Sequence, residues 1–121
     1  NNITLKNPVS RNELIKVYNK ANYLFLHLND YSAFRKVLPS KIFELATFNK
    51  TILAGVSGYS AEFIKKEISH SFVFEPCNVN DLVDYLSNDK EANSINRTDF
   101  MNKFKRTKIN KEMAFSILKY C

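Results

Sequence analysis

Residues 38–46 read LPSKIFELA, and residues 51–58 read TILAGVSG. The first stretch predicts a helix that opens at Pro39-Ser40 and ends at about Phe48. The second predicts a buried strand from Thr51 to Val56, followed by a Ser-Gly turn that leads into another helix. A succession of loop, helix, buried strand and small-residue turn is typical of a parallel sheet.

Elements of the same kind flank this stretch. The apolar runs 23–28 and 72–74 predict two further strands, of which 23–28 is expected to be buried on both faces. The alternating residues 3–5 predict a short strand before Pro8. The sequence Ser10-Arg11-Asn12-Glu13 is a capping box that predicts the start of a helix.

Apolar residues at helical spacing predict the core-facing sides of the later helices. One helix is expected after Asn78, which can cap it, and two more are expected over about 97–121. The stripes predicted to lie in the core are Val79, Leu82, Val83 and Leu86, then Phe100, Met101 and Phe104, then Ala114, Ile117, Leu118 and Cys121.

We therefore predict a single α/β domain over residues 1–121, with a Rossmann-like parallel sheet flanked by helices. Such sheets bind ligands at the carboxyl ends of their strands, which here precede residues 29–40, 57–60 and 75–78. A basic pair, Arg35-Lys36, and a helix that carries Lys41 and Glu44 fall at this edge. A cation and a carboxylate three residues apart suit a ligand with phosphate and hydroxyl groups, such as a nucleotide sugar.

Composition narrows the class of protein. The chain has 121 residues and a net charge of +6, which favours anionic partners. Its two cysteines predict neither a disulfide scaffold nor a metal site, and a reduced, cytoplasmic setting fits best. No apolar run is long enough to cross a bilayer. Because the chain begins without methionine, we expect it to be a processed or truncated piece.

Much of the positive charge lies late in the chain. These residues are expected to form a solvated helix face or to meet an anionic membrane surface, as a peripheral protein would at the inner face of the membrane. They are Arg97, Lys103, Lys105, Arg106, Lys108, Lys111 and Lys119.

From Tyr23 to Leu86 the sequence resembles the C-terminal half of a GT-B glycosyltransferase, of the retaining family 4 or group 1 type that builds surface polysaccharides. The residues that carry the resemblance are 23–28, 34–44, 54–64, Phe74-Glu75-Pro76 and Asp81-Leu82. The resemblance implies a domain that binds the donor, a nucleoside-diphosphate sugar. It also implies transfer of the sugar to a saccharide or lipid-linked acceptor.

The resemblance assigns a role to each residue of the expected site. Glu44 would accept hydrogen bonds from the ribose hydroxyls, and Lys41 would neutralise the diphosphate together with Arg35 or Lys36. The backbone from Leu38 through Pro39 to Ser40 would touch base and phosphate. The turn Ser57-Gly58-Tyr59 would pass close to the sugar diphosphate, where glycine permits a close approach.

The sequence departs from the family pattern in two respects. Many members carry a second glutamate eight residues before Glu44, whereas this chain has Lys36 there. The strands that open the family's C-terminal domain, and the whole acceptor-binding N-terminal domain, have no counterpart. This chain alone is therefore expected not to catalyse transfer, and its first strand is expected to expose an unpaired edge.

Other interpretations remain open. The main alternative is a non-catalytic basic α/β domain that binds nucleic acid, and a doubly wound signalling domain is a third. His27 can be a hydrogen-bonded core residue or an acid–base group. No residues show metal-ligand spacing, a P-loop or a dinucleotide fingerprint, so we expect no metal and no cofactor.

Overall fold

The computed structural model describes residues 2–88 and 95–120. Its strands are β1 (Tyr23–His27), β2 (Thr51–Gly55) and β3 (Ser71–Phe74). They form one parallel sheet in the order β1-β2-β3. The predicted α/β fold with a parallel sheet flanked by helices is confirmed.

Helices connect and follow the strands. The capping box at Ser10 and the cap at Asn78 are both formed as predicted. Within the described ranges, no helix combines the length and the apolar content needed to cross a membrane. The helices are α1 (Arg11–Lys20), α2 (Lys41–Leu45), α3 (Tyr59–Glu67), α4 (Val79–Asn88), α5 (Thr98–Lys103) and α6 (Arg106–Leu118), and a 3-10 helix spans Ser32–Lys36.

The main core lies on one face of the sheet. All five residues of β2 are buried, because neighbouring strands cover both of its edges. Leu24 and Leu26 of β1 face the same side as Ile52 and Ala54 of β2. Side chains from three helices cover this face: Ile42 and Leu45 from α2, Ile64 from α3 and Phe100 from α5.

The opposite face carries aromatic residues and is only partly covered. Tyr85 of α4 stacks on Phe72 of β3, with ring centroids 4.0 Å apart. Phe25, at the centre of β1, remains 56% exposed. The prediction that residues 23–28 are buried on both faces is therefore wrong, because no helix among the described residues covers Phe25.

Three other sequence predictions are corrected. Residues 3–5 form no strand, and Leu5 is 93% exposed. Helix α2 ends at Leu45 rather than near Phe48. The expected core stripes of α4 and α6 are not buried: Leu82 of α4 is half-buried, and the other described residues of the two stripes are exposed. Cys121 lies outside the described residues.

Arg97 is a buried cation that the sequence placed on a solvated face. Its side chain donates hydrogen bonds of 2.6–3.1 Å to the carbonyls of Phe48, Lys50, Ser69 and His70. Burial lowers the pKa of its guanidinium to about 10, so the group stays charged at neutral pH. Arg97 thus ties the start of α5 to the segments that lead into β2 and β3.

Replacing Arg97 by Ala removes the guanidinium donors from the carbonyls of Phe48, Lys50, Ser69 and His70. We expect the Arg97→Ala variant to lose about 3 kcal/mol of unfolding free energy, measured by urea denaturation. Arg97→Lys, which keeps the charge but fewer donors, is expected to lose less. Arg106→Ala, at an exposed position of α6, is the control and is expected to change stability by less than about 0.5 kcal/mol. Equal losses for Arg97→Ala and Arg106→Ala would contradict this role.

Candidate functional site

The expected site residues lie where chain segments leave the carboxyl ends of β1 and β2. The 3-10 helix Ser32–Lys36 follows β1 and carries Arg35 and Lys36, both exposed. Helix α2 begins shortly afterwards and carries Lys41 and Glu44. The turn at Ser57-Gly58 follows β2 and begins α3.

The Gly58 turn packs directly against the basic segment. Gly58 has φ +61°, and a Cβ there would lie 2.9 Å from the Cβ of Arg35 and closer still to the Arg35 carbonyl oxygen. Two residues further on, the buried hydroxyl of Ser60 donates a hydrogen bond to the carbonyl of Val37. Only glycine allows this approach, so the two loops are held together at the amino end of α3.

Lys41 and Glu44 form a second group of contacts. The Lys41 Nζ donates to Glu44 Oε2 at 2.7 Å, and Arg11 Nη1 of α1 lies 3.5 Å from Glu44 Oε1. Lys41 also lies over the ring of Tyr18, 5.2 Å from its centroid. The hydrogen bond that Lys41 donates to Glu44, and then the one that it donates to Tyr18, raise the pKa of Lys41. The Glu44 side chain keeps 25% of its surface exposed.

The remaining expected residues have mainly local contacts. The Arg35 guanidinium lies 3.6 Å from the Asp30 carboxylate. The carbonyls of Pro39 and Ser40 accept hydrogen bonds from the N–H groups of Ile42 and Phe43. These two bonds form the first turn of α2. Ser57 is half-buried in its turn.

Tyr59 is exposed and lies beside aromatic residues of α3 and α5. Its ring centroid lies 6.5 Å from that of Phe63 on the same helix. Together with Phe63 and Phe104 it lines a cleft between α3 and α5. This orientation favours a role for Tyr59 in covering the start of α3 over stacking on a base.

His27 connects the ends of β1 and β3. Its Nε2 accepts a 3.1 Å hydrogen bond from the backbone N–H of Cys77, a residue in the left-handed region with φ +67°. The ring passes over Gly55, where a Cβ would lie 2.9 Å from Phe74 and closer to the His27 Cδ2. His27 is thus a half-buried, hydrogen-bonded residue of the sheet, and its role in acid–base chemistry stays a prediction.

The structure therefore brings the expected residues together in two groups. Arg35 meets Gly58, and Lys41 meets Glu44. Sequence reasoning missed Arg11 and Tyr18, which belong to the second group. The capping box gave the start of α1, but no local pattern shows which residue of another helix Arg11 will reach.

Comparisons with protein-family models, curated proteins and solved structures found no match for this chain. Within residues 2–88 and 95–120, no group of three or more His, Cys, Asp or Glu side chains is placed to hold a metal ion. The chemistry of the carboxyl edge is that of cations, of the carboxylates Asp30 and Glu44 that pair with them, and of helix-terminal N–H groups.

Replacing Gly58 by Ala tests how the two loops are held. We expect Gly58→Ala to lower the free energy of unfolding by about 2 kcal/mol or more, because the φ is strained for alanine and its Cβ collides with Arg35. Thermal denaturation measures the loss. Ser57→Ala, one residue earlier, is the matched control and should melt close to the unmodified chain. A fully stable Gly58→Ala variant would show that the loops are not packed in this way.

Proposed function

We propose that this chain is the donor-binding part of a GT-B glycosyltransferase and binds a nucleoside-diphosphate sugar at the carboxyl edge of its sheet. In the intact enzyme, the sugar would pass to a saccharide or lipid-linked acceptor in the synthesis of a surface polysaccharide. The packing of the Arg35 segment against the Gly58 turn, at the amino end of α3, is the observation that carries the proposal.

This packing suits a diphosphate. The first N–H groups of a helix point outward and attract anions, and α3 has nine residues and no side-chain cap at Gly58. Arg35 and Lys36 stand exposed in the adjoining 3-10 helix. A phosphate at this position would meet backbone donors from one side and cationic side chains from the other.

The second group of contacts suits the ribose. Glu44 Oε2 accepts a 2.7 Å hydrogen bond from Lys41, while Oε1 lies at the longer distance of 3.5 Å from Arg11. A carboxylate has about four acceptor positions, so ribose hydroxyls can bind without breaking the Lys41 contact. In the reaction, Lys41 and Arg35 would stabilise the negative charge that grows on the diphosphate as it leaves.

Nucleoside diphosphates should stabilise the folded chain. A ligand at about a hundred times its dissociation constant adds about 2.7 kcal/mol to the free energy of unfolding. We expect UDP or GDP to raise the melting temperature of the unmodified chain. Glu44→Ala removes a charge-assisted hydrogen bond to the nucleotide, which contributes about 1.5–3 kcal/mol. We therefore expect this variant to bind the nucleotide about tenfold more weakly, or weaker still.

The control for this experiment is Glu112→Ala, which removes an exposed carboxylate from α6. Both variants should melt near the unmodified chain without ligand, and only Glu44→Ala should lose the response to nucleotide. Absence of any response to UDP, GDP and the other nucleoside diphosphates would overturn the proposal. Salt-dependent binding of oligonucleotides, without a response to nucleotides, would favour the nucleic-acid alternative.

We also propose that the protein is cytoplasmic and attaches peripherally to an anionic membrane surface through α6. All 13 residues of this helix are solvated. Ile109, Met113 and Ile117 recur every four residues, so they lie along one side of the helix. Lys108, Lys111 and Lys119 fall on the other side together with the exposed Phe115 and Leu118, so lysines and apolar side chains can both meet a lipid surface.

Co-sedimentation with vesicles tests this attachment. We expect binding to phosphatidylglycerol vesicles, weak binding to phosphatidylcholine vesicles, and release by salt. Reversal of two charges by Lys111→Glu and Lys119→Glu should remove the binding, since each lysine contributes about 1 kcal/mol. Lys65→Glu with Lys66→Glu, on α3, is the matched control. Equal loss in both double variants would place the contact outside α6.

A further inference from the structure

We propose that the cleft between α3 and α5 binds a neutral saccharide. The juxtaposition behind this inference is a floor of three aromatic rings, from Tyr59, Phe63 and Phe104, beside a rim that carries both carboxylates and ammonium groups. The cleft has a volume of about 340 Å³. Ligand sites usually have volumes of about 300–1,000 Å³. The saccharide site is separate from the nucleotide site proposed above, and the inference does not rest on that proposal.

Other aromatic residues fix the floor of the cleft in position. The ring centroids of Phe63 and Phe104 lie 5.5 Å apart, and each ring contacts Phe43 of α2, at 5.6 Å and 5.5 Å. The buried Phe100 packs on Phe104 at 4.8 Å. Tyr59 adds an exposed ring 6.5 Å from that of Phe63. A ligand therefore meets ring surfaces that are largely ordered before it binds, which lowers the entropic cost of binding.

Charged side chains line the rest of the cleft. The Lys103 Nζ donates hydrogen bonds of 2.8 Å and 2.6 Å to the two carboxylate oxygens of Glu67, and it lies 5.4 Å from the centroid of the Phe104 ring. Glu62 and Lys66, one turn apart on α3, are exposed. In the part of the chain that the structure describes, neither of these two side chains has an ion pair or a hydrogen bond. A ligand in the cleft can therefore use one acceptor and one donor.

The charges of the cleft favour an uncharged ligand. Two carboxylates and two ammonium groups line it, so their charges cancel. An anionic ligand would be repelled by the carboxylates, and an organic cation would compete with the Lys103 ammonium for the Phe104 ring. An uncharged ligand with hydroxyl groups avoids both costs, because a hydroxyl can donate to a carboxylate and accept from an ammonium group.

A sugar ring matches the floor as well as the rim. The face of an aromatic ring carries partial negative charge, which attracts the C–H groups on the apolar face of a pyranose. The hydroxyl groups of the same pyranose point outward, where they can donate to Glu62 and accept from Lys66. A neutral saccharide is therefore the class of ligand that uses both the rings and the charged groups of the cleft.

An oligosaccharide array tests the inference on the whole chain. We expect binding to neutral oligosaccharides of glucose, galactose or mannose, and weaker binding to oligosaccharides that contain uronic acids. In an isotope-labelled chain, titration with the tightest-binding neutral oligosaccharide should shift the amide resonances of Tyr59, Phe63 and Phe104.

Three results would overturn the proposal. They are an array without binding to any neutral oligosaccharide, a preference for uronic acids, and resonance shifts at Lys41 and Glu44 in place of the cleft. The last result would place the saccharide at the carboxyl edge. The response to nucleoside diphosphates is measured separately, so a failure of the proposed function and a failure of this inference can be told apart.

Replacing Tyr59 tests the floor. Tyr59→Ala removes the exposed ring and should weaken saccharide binding about fivefold or more, whereas Tyr59→Phe keeps the ring and should bind about as tightly as the unmodified chain. Tyr120→Ala, which removes a tyrosine with 90% exposure, is the matched control. All three variants should melt near the unmodified chain. Unchanged binding by Tyr59→Ala would mean that the saccharide lies elsewhere, against the proposal.

Replacing the charged side chains tests the rim. Glu62→Ala and Lys66→Ala each remove one hydrogen-bonding partner, and each should weaken saccharide binding about threefold. Lys65→Ala, a change of an exposed α3 residue that does not line the cleft, is the control and should bind as the unmodified chain does. Full binding by the double variant of Glu62→Ala and Lys66→Ala would contradict recognition of hydroxyl groups at this rim.

Discussion

The burial of β2 is the constraint on which the other elements depend. Its five residues have strands on both edges and side chains on both faces. Both of its ends are held by unusual contacts. Arg97 donates hydrogen bonds to carbonyls of the segment before β2. At the carboxyl end of β2, the chain's two glycines leave room for close contacts: His27 packs against Gly55, and Arg35 packs against Gly58. These contacts fix the position of the candidate site, because its two loops, the Arg35 segment and the Gly58 turn, meet beside the carboxyl end of β2.

Local sequence patterns predicted the elements whose formation depends on near neighbours. The apolar runs at β1, β2 and β3 predicted strands, and their separation by helices predicted a parallel sheet. The capping box at Ser10 needs only residues three apart, so the start of α1 was correct. The prediction of the Ser-Gly turn was correct for the same reason, because the positive φ at Gly58 is a conformation that glycine adopts without help from distant residues.

The wrong predictions concern burial, which depends on distant partners. Residues 3–5 alternate like a strand, but a strand needs a neighbour that bonds to it. The run at β1 does not say how many faces are covered, and Phe25 is exposed. Arg97 reaches carbonyls 27 to 49 residues away, a pairing that no local pattern reveals. The roles of Glu44 and Lys41 toward a ligand stay predictions, and their spacing of three residues showed only that both lie on one side of α2.

The energetics of that contact decide whether a ligand can use it. Lys41 and Glu44 are both partly exposed, and such a pair contributes about 0–1 kcal/mol to stability. A hydrogen bond from a ribose hydroxyl or a phosphate to a charged group contributes about 1.5–3 kcal/mol. A ligand that gains two such bonds therefore outweighs the pair even where it must separate Lys41 from Glu44. The contacts of Glu44 with Arg11 and of Lys41 with Tyr18 hold both charged groups beside α1, in the position that the proposed ligand would need.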